Sequence, residues 1–278
     1  MLFRSNNDIT FTVNELEIQK TIDQCESITR QLGGEYSYKR KMTKLSIQGA
    51  GIMGRPSVSA ELFDTLFQAN INVRLIATSE IKVSCVIEVN NLPKAIRFVA
   101  EKFKLSDTQI FINPKIKIKD QPEVRGIALD KNQAQVSVRQ LPDRPGVAAS
   151  ICLALAENNL IVDTIVQSER ISSLKTKDIS FTINKEDREK ANLVFQSLAK
   201  QLPGAFIEDG PAIAKVSTVG AGMAFKVGTA GKIFRALANK NINIEMIATS
   251  EIRTSCIVLE KDCNEAVKAI HSYFELDK

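Results

Sequence analysis

The segment NINVRLIATSEI at residues 70–81 recurs almost unchanged as NINIEMIATSEI at residues 241–252. The glycine motif GAG at residues 49–51 recurs at residues 220–222, displaced by the same 171 positions. Self-similarity at one fixed displacement is the signature of a duplicated structural unit. The chain is therefore predicted to contain two copies of one unit.

The two copies are not equally complete. DITFTV at residues 8–13 recurs as DISFTI at residues 178–183, which aligns the copies near their beginnings with a displacement of 170. The second copy opens earlier, with QVSVRQLPDRPGVAASICLALAENNLIVDTIVQSE at residues 135–169, and the same opening of the first copy would precede Met1. We therefore expect a first copy without its opening, either through truncation or through a start inside a longer gene.

Strand-like and helix-like patterns alternate within each copy. Apolar residues at helical spacing, such as Ile151 and Leu155, predict a helix after the break LPDRPG, and β-branched runs predict strands. The predicted strands of the second copy are Val136–Arg139, Leu160–Gln167, Ile179–Ile183, Ala212–Val219, Ile242–Ile247 and Ser255–Leu259, and the predicted helices are Val147–Asn158, Glu186–Gln201, Thr229–Asn239 and Cys263–Phe274. The order predicts an α+β fold of tandem ferredoxin-like βαββαβ modules, with antiparallel sheets and helices on one face.

Five segments follow from this pattern. Residues 1–40 are predicted to be a first module that lacks its opening strand, helix and strand, and residues 41–112 a second module. Residues 113–134, which are charged and contain two prolines, are the predicted connection between the copies. Residues 135–211 and 212–278 are the predicted third and fourth modules.

Composition excludes several classes of protein. The 278 residues include 44% hydrophobic and 25% charged side chains, and the formal charge of +5 is spread along the chain, so we expect no nucleic acid. Five cysteines without a C-x-x-C pair indicate neither a disulfide framework nor a zinc site. The longest apolar run is too short to span a bilayer and the N-terminus is unlike a signal peptide, so we expect a cytoplasmic protein without membrane contact.

Catalytic motifs are scarce in the sequence. His271 is the one histidine, and neither G-x-x-x-x-G-K-[ST] nor G-x-G-x-x-G occurs. We therefore expect no catalytic residue, no metal site and no cofactor. The GAG motifs have two interpretations that stay open: a tight turn that needs glycine, or backbone N–H groups that face a small anion.

Two segments are candidates for ligand binding. In LPDRPG, residues 141–146, Asp143 can cap the following helix; alternatively, its carboxylate can meet an ammonium while the helix N-terminus holds a carboxylate. The second alternative suits a free amino acid, which carries both charges, with Gln167 and Asn243 as neutral partners. In IATSEI, the Ser–Glu pair is either a polar turn or a pocket for a cationic or hydroxylated ligand.

These residues carry a resemblance to a known family. VSVRQLPDRPGVAA, VDTIVQS, KDISFTI, VSTVGAGM and NINIEMIATSEIRTSCIV resemble successive signatures of the regulatory ACT domains of aspartate kinases, over nearly the whole chain. The duplicated pair of modules is similar to the aspartate kinases of cyanobacterial type. The resemblance implies allosteric feedback control by lysine, threonine or both, bound where ACT modules pair, in the biosynthesis of lysine, threonine and methionine. The family's K-F-G-G-type phosphate-binding segment is absent, so we expect no kinase activity from this chain alone.

The resemblance also implies site residues and partners. It implies effector contacts from Asp143, Arg144, Pro145, Gly146, Val147, Ala148, Ile161, Val162, Asp163, Gln167, Thr229, Ala230, Asn243, Ile244, Ser250 and Glu251, within residues 135–260, and a half-site at Val58, Ser59, Asn72, Val73, Ser79 and Glu80. The implied partners are the aspartate kinase catalytic domain or subunit and a second copy of the chain in a homodimer. The alternatives are a dimerisation module that senses no amino acid, or a truncated gene model of a complete kinase.

Overall fold

The computed structural model of the chain describes residues 2–5, 8–52, 55–79, 81–112, 121–169, 176–224 and 226–277. Seven α-helices and eleven β-strands lie within these ranges. Glu80 of the predicted half-site and residues 113–120 of the predicted connection lie outside the described residues.

The elements follow the predicted order. The strands are β1 (Leu2–Ser5), β2 (Asp8–Phe11), β3 (Met42–Gln48), β4 (Leu75–Ser79), β5 (Lys82–Glu88), β6 (Gly126–Pro142), β7 (Val162–Glu169), β8 (Thr176–Asn184), β9 (Phe206–Val219), β10 (Met246–Thr249) and β11 (Arg253–Leu259). The helices are α1 (Ile18–Leu32), α2 (Pro56–Gln68), α3 (Leu92–Phe103), α4 (Val147–Glu157), α5 (Arg188–Ala199), α6 (Thr229–Ala238) and α7 (Cys263–Tyr273). The predicted α+β class, with antiparallel strands and ferredoxin-like modules, is confirmed.

All eleven strands belong to one sheet. Its order is β2-β1-β10-β11-β9-β6-β8-β7-β4-β5-β3, and the pairings are antiparallel. In the second copy, β6 and β9 are long enough to serve two modules each. Residues 133–139 of β6 pair with residues 206–213 of β9 in the third module, and residues 126–130 pair with residues 215–219 in the fourth.

The long strand β6 includes part of the segment that the sequence predicted to be a connection. Residues 126–134, which the sequence assigned to the connection 113–134, are part of β6. The fourth module contributes only the end of β9, β10 and β11, so residues 126–130 supply a strand that covers the edge of β9. An uncovered edge would leave a row of backbone groups unpaired. The module boundaries themselves stay a prediction.

The second and third modules are joined side by side within the chain. β4 meets β7, with Ala77 opposite Val166, and one apolar core extends through both modules. Phe67 at the end of α2 reaches the start of α4, where a Cβ on Gly146 would lie 2.8 Å from the Phe67 ring. Gly146 also has a φ of 94°, so glycine satisfies both the left-handed turn and the close approach.

The fourth module meets the remnant of the first module in the same way. β1 pairs with β10, and Phe3 lies opposite Ala248, the residue of the fourth module that corresponds to Ala77. A small apolar cluster of Ala77, Val166, Ile213, Met246 and Ile257 connects the two pairs of modules. The strand pairing therefore places each module against a module from the other copy.

Candidate functional site

The contact between β4 and β7 creates two cavities, one at each end. Thr78 Oγ1 accepts a hydrogen bond from the Ile165 N–H at 2.9 Å, and Gln167 Nε2 donates to the Arg74 carbonyl at 2.7 Å. Each cavity combines the N-terminal turn of a helix from one module with a strand segment from the other. The two cavities are thus related by the approximate symmetry of the paired modules.

The first cavity, of about 30 Å³, lies between the LPDRPG loop and the segment Ile71–Val73, which precedes β4. Its lining is Phe63, Ile71, Asn72, Val73, Leu141, Pro142, Asp143, Arg144, Gly146, Val147, Ala148, Ala149, Gln167, Lys177 and Ile179. A cavity of this volume has room for about one water molecule. A larger ligand must therefore displace the LPDRPG loop or the segment Ile71–Val73 that closes the cavity.

Asp143 holds the two modules together in this cavity. Its carboxylate accepts from Asn72 Nδ2 at 3.2 Å, pairs with Arg74 Nη1 at 3.1 Å and pairs with Lys177 Nζ at 2.8 Å. Lys177 also donates to the Val73 carbonyl at 3.0 Å. Asn72, Val73 and Arg74 belong to the second module and Asp143 and Lys177 to the third, so most of these contacts cross the interface.

The charge of Asp143 is stabilised by this network. Partial burial raises the pKa of its carboxyl group, but the hydrogen bond and charge of Lys177, with Asn72 and Arg74, outweigh burial and hold the pKa below its ordinary value. Asp143 is therefore a carboxylate at neutral pH, as recognition of an ammonium group requires.

The start of α4 is suited to bind an anion, whereas the Asp143 carboxylate is suited to bind a cation. Gly146 is the N-cap of this eleven-residue helix, and no side chain caps its first turn. The N–H groups of a first helical turn have no partner within the helix, and the helix dipole favours negative charge there. The first cavity thus combines donors suited to a carboxylate with an anion suited to an ammonium, and Gly146 rather than Asp143 is the N-cap of α4.

The second cavity is larger, about 230 Å³. Its lining is Ile52, Arg55, Pro56, Ser59, Thr78, Ser79, Val83, Asp130, Gln133, Cys152, Leu155, Ile161, Val162, Asp163, Ile165 and Asn184. Here α2 of the second module supplies the helix start, and its N-cap residue Arg55 makes no side-chain capping bond. This cavity brings the predicted effector residues Ile161–Asp163 together with Ser59 and Ser79 of the predicted half-site.

The polar groups of the second cavity differ from those of the first. The Asp163 carboxylate pairs with Lys215 Nζ at 2.6 Å, and the Asp130 carboxylate accepts from Gln133 Nε2 at 2.7 Å. Burial raises the pKa of the Cys152 thiol to about 12, so it stays protonated and is a poor nucleophile. The second cavity is therefore lined by two carboxylates, those of Asp130 and Asp163, together with the guanidinium of Arg55.

The LPDRPG loop meets a different NIN segment from the one that the sequence predicted. The sequence paired the LPDRPG loop with Asn243 and Ile244 of the fourth module and left Asn72 and Val73 without a partner. In the structure Asn72 contacts Asp143. The reason is that β7 of the third module aligns with β4 of the second, and repeated segments in the fourth module carry the same residues in a different neighbourhood.

The predicted effector residues of the fourth module have other roles. Asn243 Nδ2 donates to Glu245 at 2.9 Å, Ile244 is buried in the core of its module, and Ser250 contacts the Arg253 carbonyl. Glu251 pairs with Lys82 of the second module at 2.5 Å.

Thr229, at the start of α6, is covered by the segment before β6. Its Oγ1 donates to Glu123 at 2.6 Å, and Lys232 pairs with the same carboxylate at 2.8 Å. Burial raises the pKa of Glu123, but the bonds from Lys232 and Thr229 outweigh it and hold the pKa below its ordinary value. Ala230 follows Thr229 in α6, Pro145 lies in the loop before α4 and Val58 is half-buried in α2; these three residues do not line either cavity.

The second GAG motif is a site of close approach. A Cβ on Gly220 would lie 2.1 Å from the Glu123 carbonyl, and the Gly222 N–H donates to the Pro122 carbonyl at 3.2 Å. The Gly220 N–H donates to the Ile252 carbonyl at 2.9 Å. These N–H groups are used by the chain itself, which favours the structural interpretation of the motif.

Sequence reasoning missed seven polar residues at these cavities, among them Arg55, Thr78 and Asn184 in the lining of the second cavity. Lys177 and Arg74 bind Asp143, and Asp130 and Gln133 line the second cavity. Lys177 and Arg74 lie within or beside the quoted motifs, but only the fold shows that they meet. Asp130 and Gln133 fell in the predicted connection, where a polar residue carries no signal.

Comparison with known proteins agrees with this architecture. The family described as ACT domain matches residues 45–103 of the first copy and residues 216–274 of the second. An aspartate kinase of Pseudomonas fluorescens is 40% identical over 158 residues, which are 57% of this chain and 38% of the relative. An aspartokinase of Helicobacter pylori is 44% identical over 157 residues, which are 56% of this chain and 38% of the relative.

Solved structures give the same picture. The crystal structure of aspartate kinase from Synechocystis matches 99% of this chain and 49% of its own chain, with a TM-score of 0.90 and 39% identity. The regulatory subunit of aspartate kinase from Thermus flavus matches 55% of this chain and 99% of its own, with a TM-score of 0.52 and 37% identity. The chain thus spans less than half the length of the curated relatives described here. Among the described residues, no helix combines the length and apolarity needed to cross a membrane.

Proposed function

Because this chain belongs to the family of ACT-domain regulatory regions of aspartate kinases, we propose that it senses free amino acids at the two cavities between its second and third modules. The observation that carries this proposal is the contact between Asn72 and Asp143, which joins the NINV segment of one copy to the LPDRPG loop of the other. The ligand would bind where the two modules hold each other.

The first cavity supplies both halves of amino-acid recognition. The Asp143 carboxylate would meet the ligand's ammonium group, and the open first turn of α4 would hold its carboxylate. Gln167, whose Nε2 bonds the Arg74 carbonyl, and Asn72 would provide neutral contacts.

Binding there would change how the modules pair. The ligand's ammonium competes with Asn72, Arg74 and Lys177 for Asp143, so entry weakens bonds that connect the two modules. A ligand shifts a conformational equilibrium by its difference in affinity between the two states, and the coupling is reciprocal. This competition is the proposed link between sensing and control.

The chemistry of the cavities favours different amino acids. We assign threonine to the first cavity, because it is small and already holds the cations Lys177 and Arg74, which would repel a cationic side chain. We assign lysine to the second, because it is larger and presents the carboxylates of Asp130 and Asp163. Arg55 and the start of α2 would hold the carboxylate of that ligand.

The controlled reaction would be the phosphorylation of aspartate by a catalytic kinase part, either in a longer polypeptide or in a separate subunit. Feedback by lysine and threonine would then regulate the pathway that makes them. We place this function in the cytoplasm, with homodimers as the assembled form; the cysteines of the described chain are free thiols, in keeping with a reducing compartment.

Calorimetric titration of the chain with threonine and lysine, singly and together, tests the proposal. Both ligands should bind, and together they should show two sites. Asp143→Ala should weaken threonine binding by about 1.5–3 kcal/mol, the scale of a charge-assisted hydrogen bond, whereas Asn243→Ala in the fourth module should leave it unchanged. The sensing function is wrong if the folded chain binds neither amino acid.

A further inference from the structure

We propose that the remnant of the first module is a docking surface for a strand followed by a helix, supplied by a partner polypeptide and built like β6 and α4 of the second copy. We call this strand and helix the donor segment. It would add a strand to the open sheet and lay its helix over the same face. The inference does not rest on amino-acid binding in the two cavities.

The apolar face of β2 is exposed, although the same face of its counterpart is core. Ile9 of β2 is 57% exposed, whereas Ile179, which lies 170 positions later in β8, is 3% exposed. Phe11 is 39% exposed, whereas its counterpart Phe181 is fully buried. The same residue types at the same positions therefore form a core in one copy and an open surface in the other.

Helix α1 repeats this contrast. Leu32 is 80% exposed, whereas its counterpart Leu202 is 6% exposed. Ile28 is 51% exposed, whereas its counterpart Leu198 is 8% exposed. Within the described helix α1 no residue is buried, while its counterpart α5 packs on β6 and β9. Exposed apolar patches of this kind mark interaction sites.

The strand order shows which element would cover this face. β2 and β3 are the two ends of the eleven-stranded sheet. Their counterparts in the second copy are β8 and β9, and β6 lies between these two strands and pairs with both. β1 already takes the place of β7, because it meets β10 as β7 meets β4. One strand like β6 would thus cover both open edges.

The segment between α1 and β3 also matches the proposed donor strand. Residues 36–40 are described without strand structure, although their counterparts within residues 206–211 belong to β9. In the second copy, residues 206–209 pair with residues 136–139 of β6. An added strand would give residues 36–40 the same partner for their backbone groups.

The second copy defines the chemistry of the donor segment. Val136 and Val138 of β6 are buried in the core of the third module. Asp8 lies at the position of Asp178, which pairs with Arg139 of β6 at 3.3 Å. The donor strand should therefore alternate apolar residues with polar ones and place an arginine opposite Asp8. Its helix should present an apolar face, as α4 does.

Calorimetry on the full chain tests the proposal with a peptide of residues 126–158, which contains β6 and α4 of this same chain. The peptide should bind with one molecule for each chain. Leu32→Ala should weaken this binding on the order of tenfold, because it removes apolar area that the peptide covers. Leu193→Ala is the matched control, since Leu193 is 67% exposed on α5 but lies in the second copy, and affinity should not change.

Hydrogen exchange locates the bound peptide. Exchange should slow at residues 8–13 and 36–40 and stay unchanged in β8. Protection confined to β8 and β9 would mean that the peptide replaces β6 of the second copy, and it would overturn the inference. A chain with residues 126–158 joined ahead of Met1 by a glycine–serine linker should unfold at a higher temperature, which keeps the test informative where the free peptide aggregates.

Three further results would overturn the inference. The first is no binding of the free peptide together with no stabilisation by the joined segment, and the second is equal affinity in Leu32→Ala and Leu193→Ala. The third is a dimer of the unmixed chain that Leu32→Ala dissociates, because a second copy would then cover the surface. Binding of threonine or lysine to the wild-type chain is measured separately, so each of these results leaves the sensing function standing.

Discussion

Residues 45–103 of the first copy and residues 216–274 of the second copy share sequence but not surroundings. In the first copy, Asn72 bonds Asp143 of a neighbouring module and the start of α2 borders an open cavity. In the second copy, Asn243 bonds the nearby Glu245 and the start of α6 is covered by Glu123. A repeated motif therefore forms a site only where the fold supplies the complementary face.

The largest expected effect comes from breaking the interface at Asp143. Asp143→Ala removes the carboxylate that pairs with Lys177 at 2.8 Å and with Arg74 at 3.1 Å, and should lower the free energy of unfolding by about 2–3 kcal/mol. Glu245→Ala removes the corresponding bond of the second copy and should cost less than about 0.5 kcal/mol. Urea unfolding followed by circular dichroism measures both. Equal costs would show that the two copies are not energetically distinct at this position.

Acid should remove part of the stability that the Asp143 carboxylate provides. The pKa of Asp143 is lower in the folded chain than in the unfolded chain, so its stabilisation is present above the unfolded value of about 3.9 and is lost as pH falls through the folded value. Asp143→Asn should therefore show a weaker loss of stability than the wild type between about pH 5 and 2. Parallel acid limbs for the two proteins would contradict this role of Asp143.

Alanine substitutions in the two GAG motifs can be compared directly and should have smaller effects on stability. Gly220→Ala places a Cβ 2.1 Å from the Glu123 carbonyl and should cost about 1–2 kcal/mol, because the segment that covers α6 must move. Gly49→Ala meets no atom within 4 Å and should be nearly neutral. Hydrogen exchange at the start of α6 should increase in Gly220→Ala alone. Unchanged exchange there would mean that residues 121–124 do not protect this helix.

The smallest expected difference lies in the NIN segments themselves. Asn72→Ala should cost about 1 kcal/mol, since it removes a part-buried hydrogen bond to a charged group, and Asn243→Ala should fall within about 0.5 kcal/mol of the wild type. Thermal unfolding of the two variants side by side provides the comparison. A larger loss in Asn243→Ala would reverse the assignment of the functional copy.

The elements were largely predictable because their signals are local. Helix α4 begins at Val147, as the apolar spacing after LPDRPG predicts, and β11 and α7 lie where their patterns place them. Periodicity could not predict that β6 serves two modules. A strand that serves two modules has the same alternation as a strand that serves one, and residues 126–134 differ from a connection only through the edge of β9 that they cover.

The candidate site was likewise predictable only in part. The residue types at Asp143, Gln167 and Asn243 indicated amino-acid chemistry from the sequence, and the family resemblance added Asp163 and Asn72. Their grouping into two cavities did not follow, because both copies carry NIN and TSE segments and local sequence cannot choose between them. The pairing of β4 with β7 made that choice.

The NIN-to-TSEI repeat by itself determined that the chain holds two copies of one unit, since duplication is a property of the sequence alone. Tertiary structure decided which copy meets the LPDRPG loop, because Asp143 lies 71 positions from Asn72 and only the sheet brings them to 3.2 Å. It also decided that Leu202 is buried while its counterpart Leu32 is exposed, because β6 and α4 belong to the core that covers Leu202. Contacts between distant segments depend on strand order and register, which local patterns do not encode.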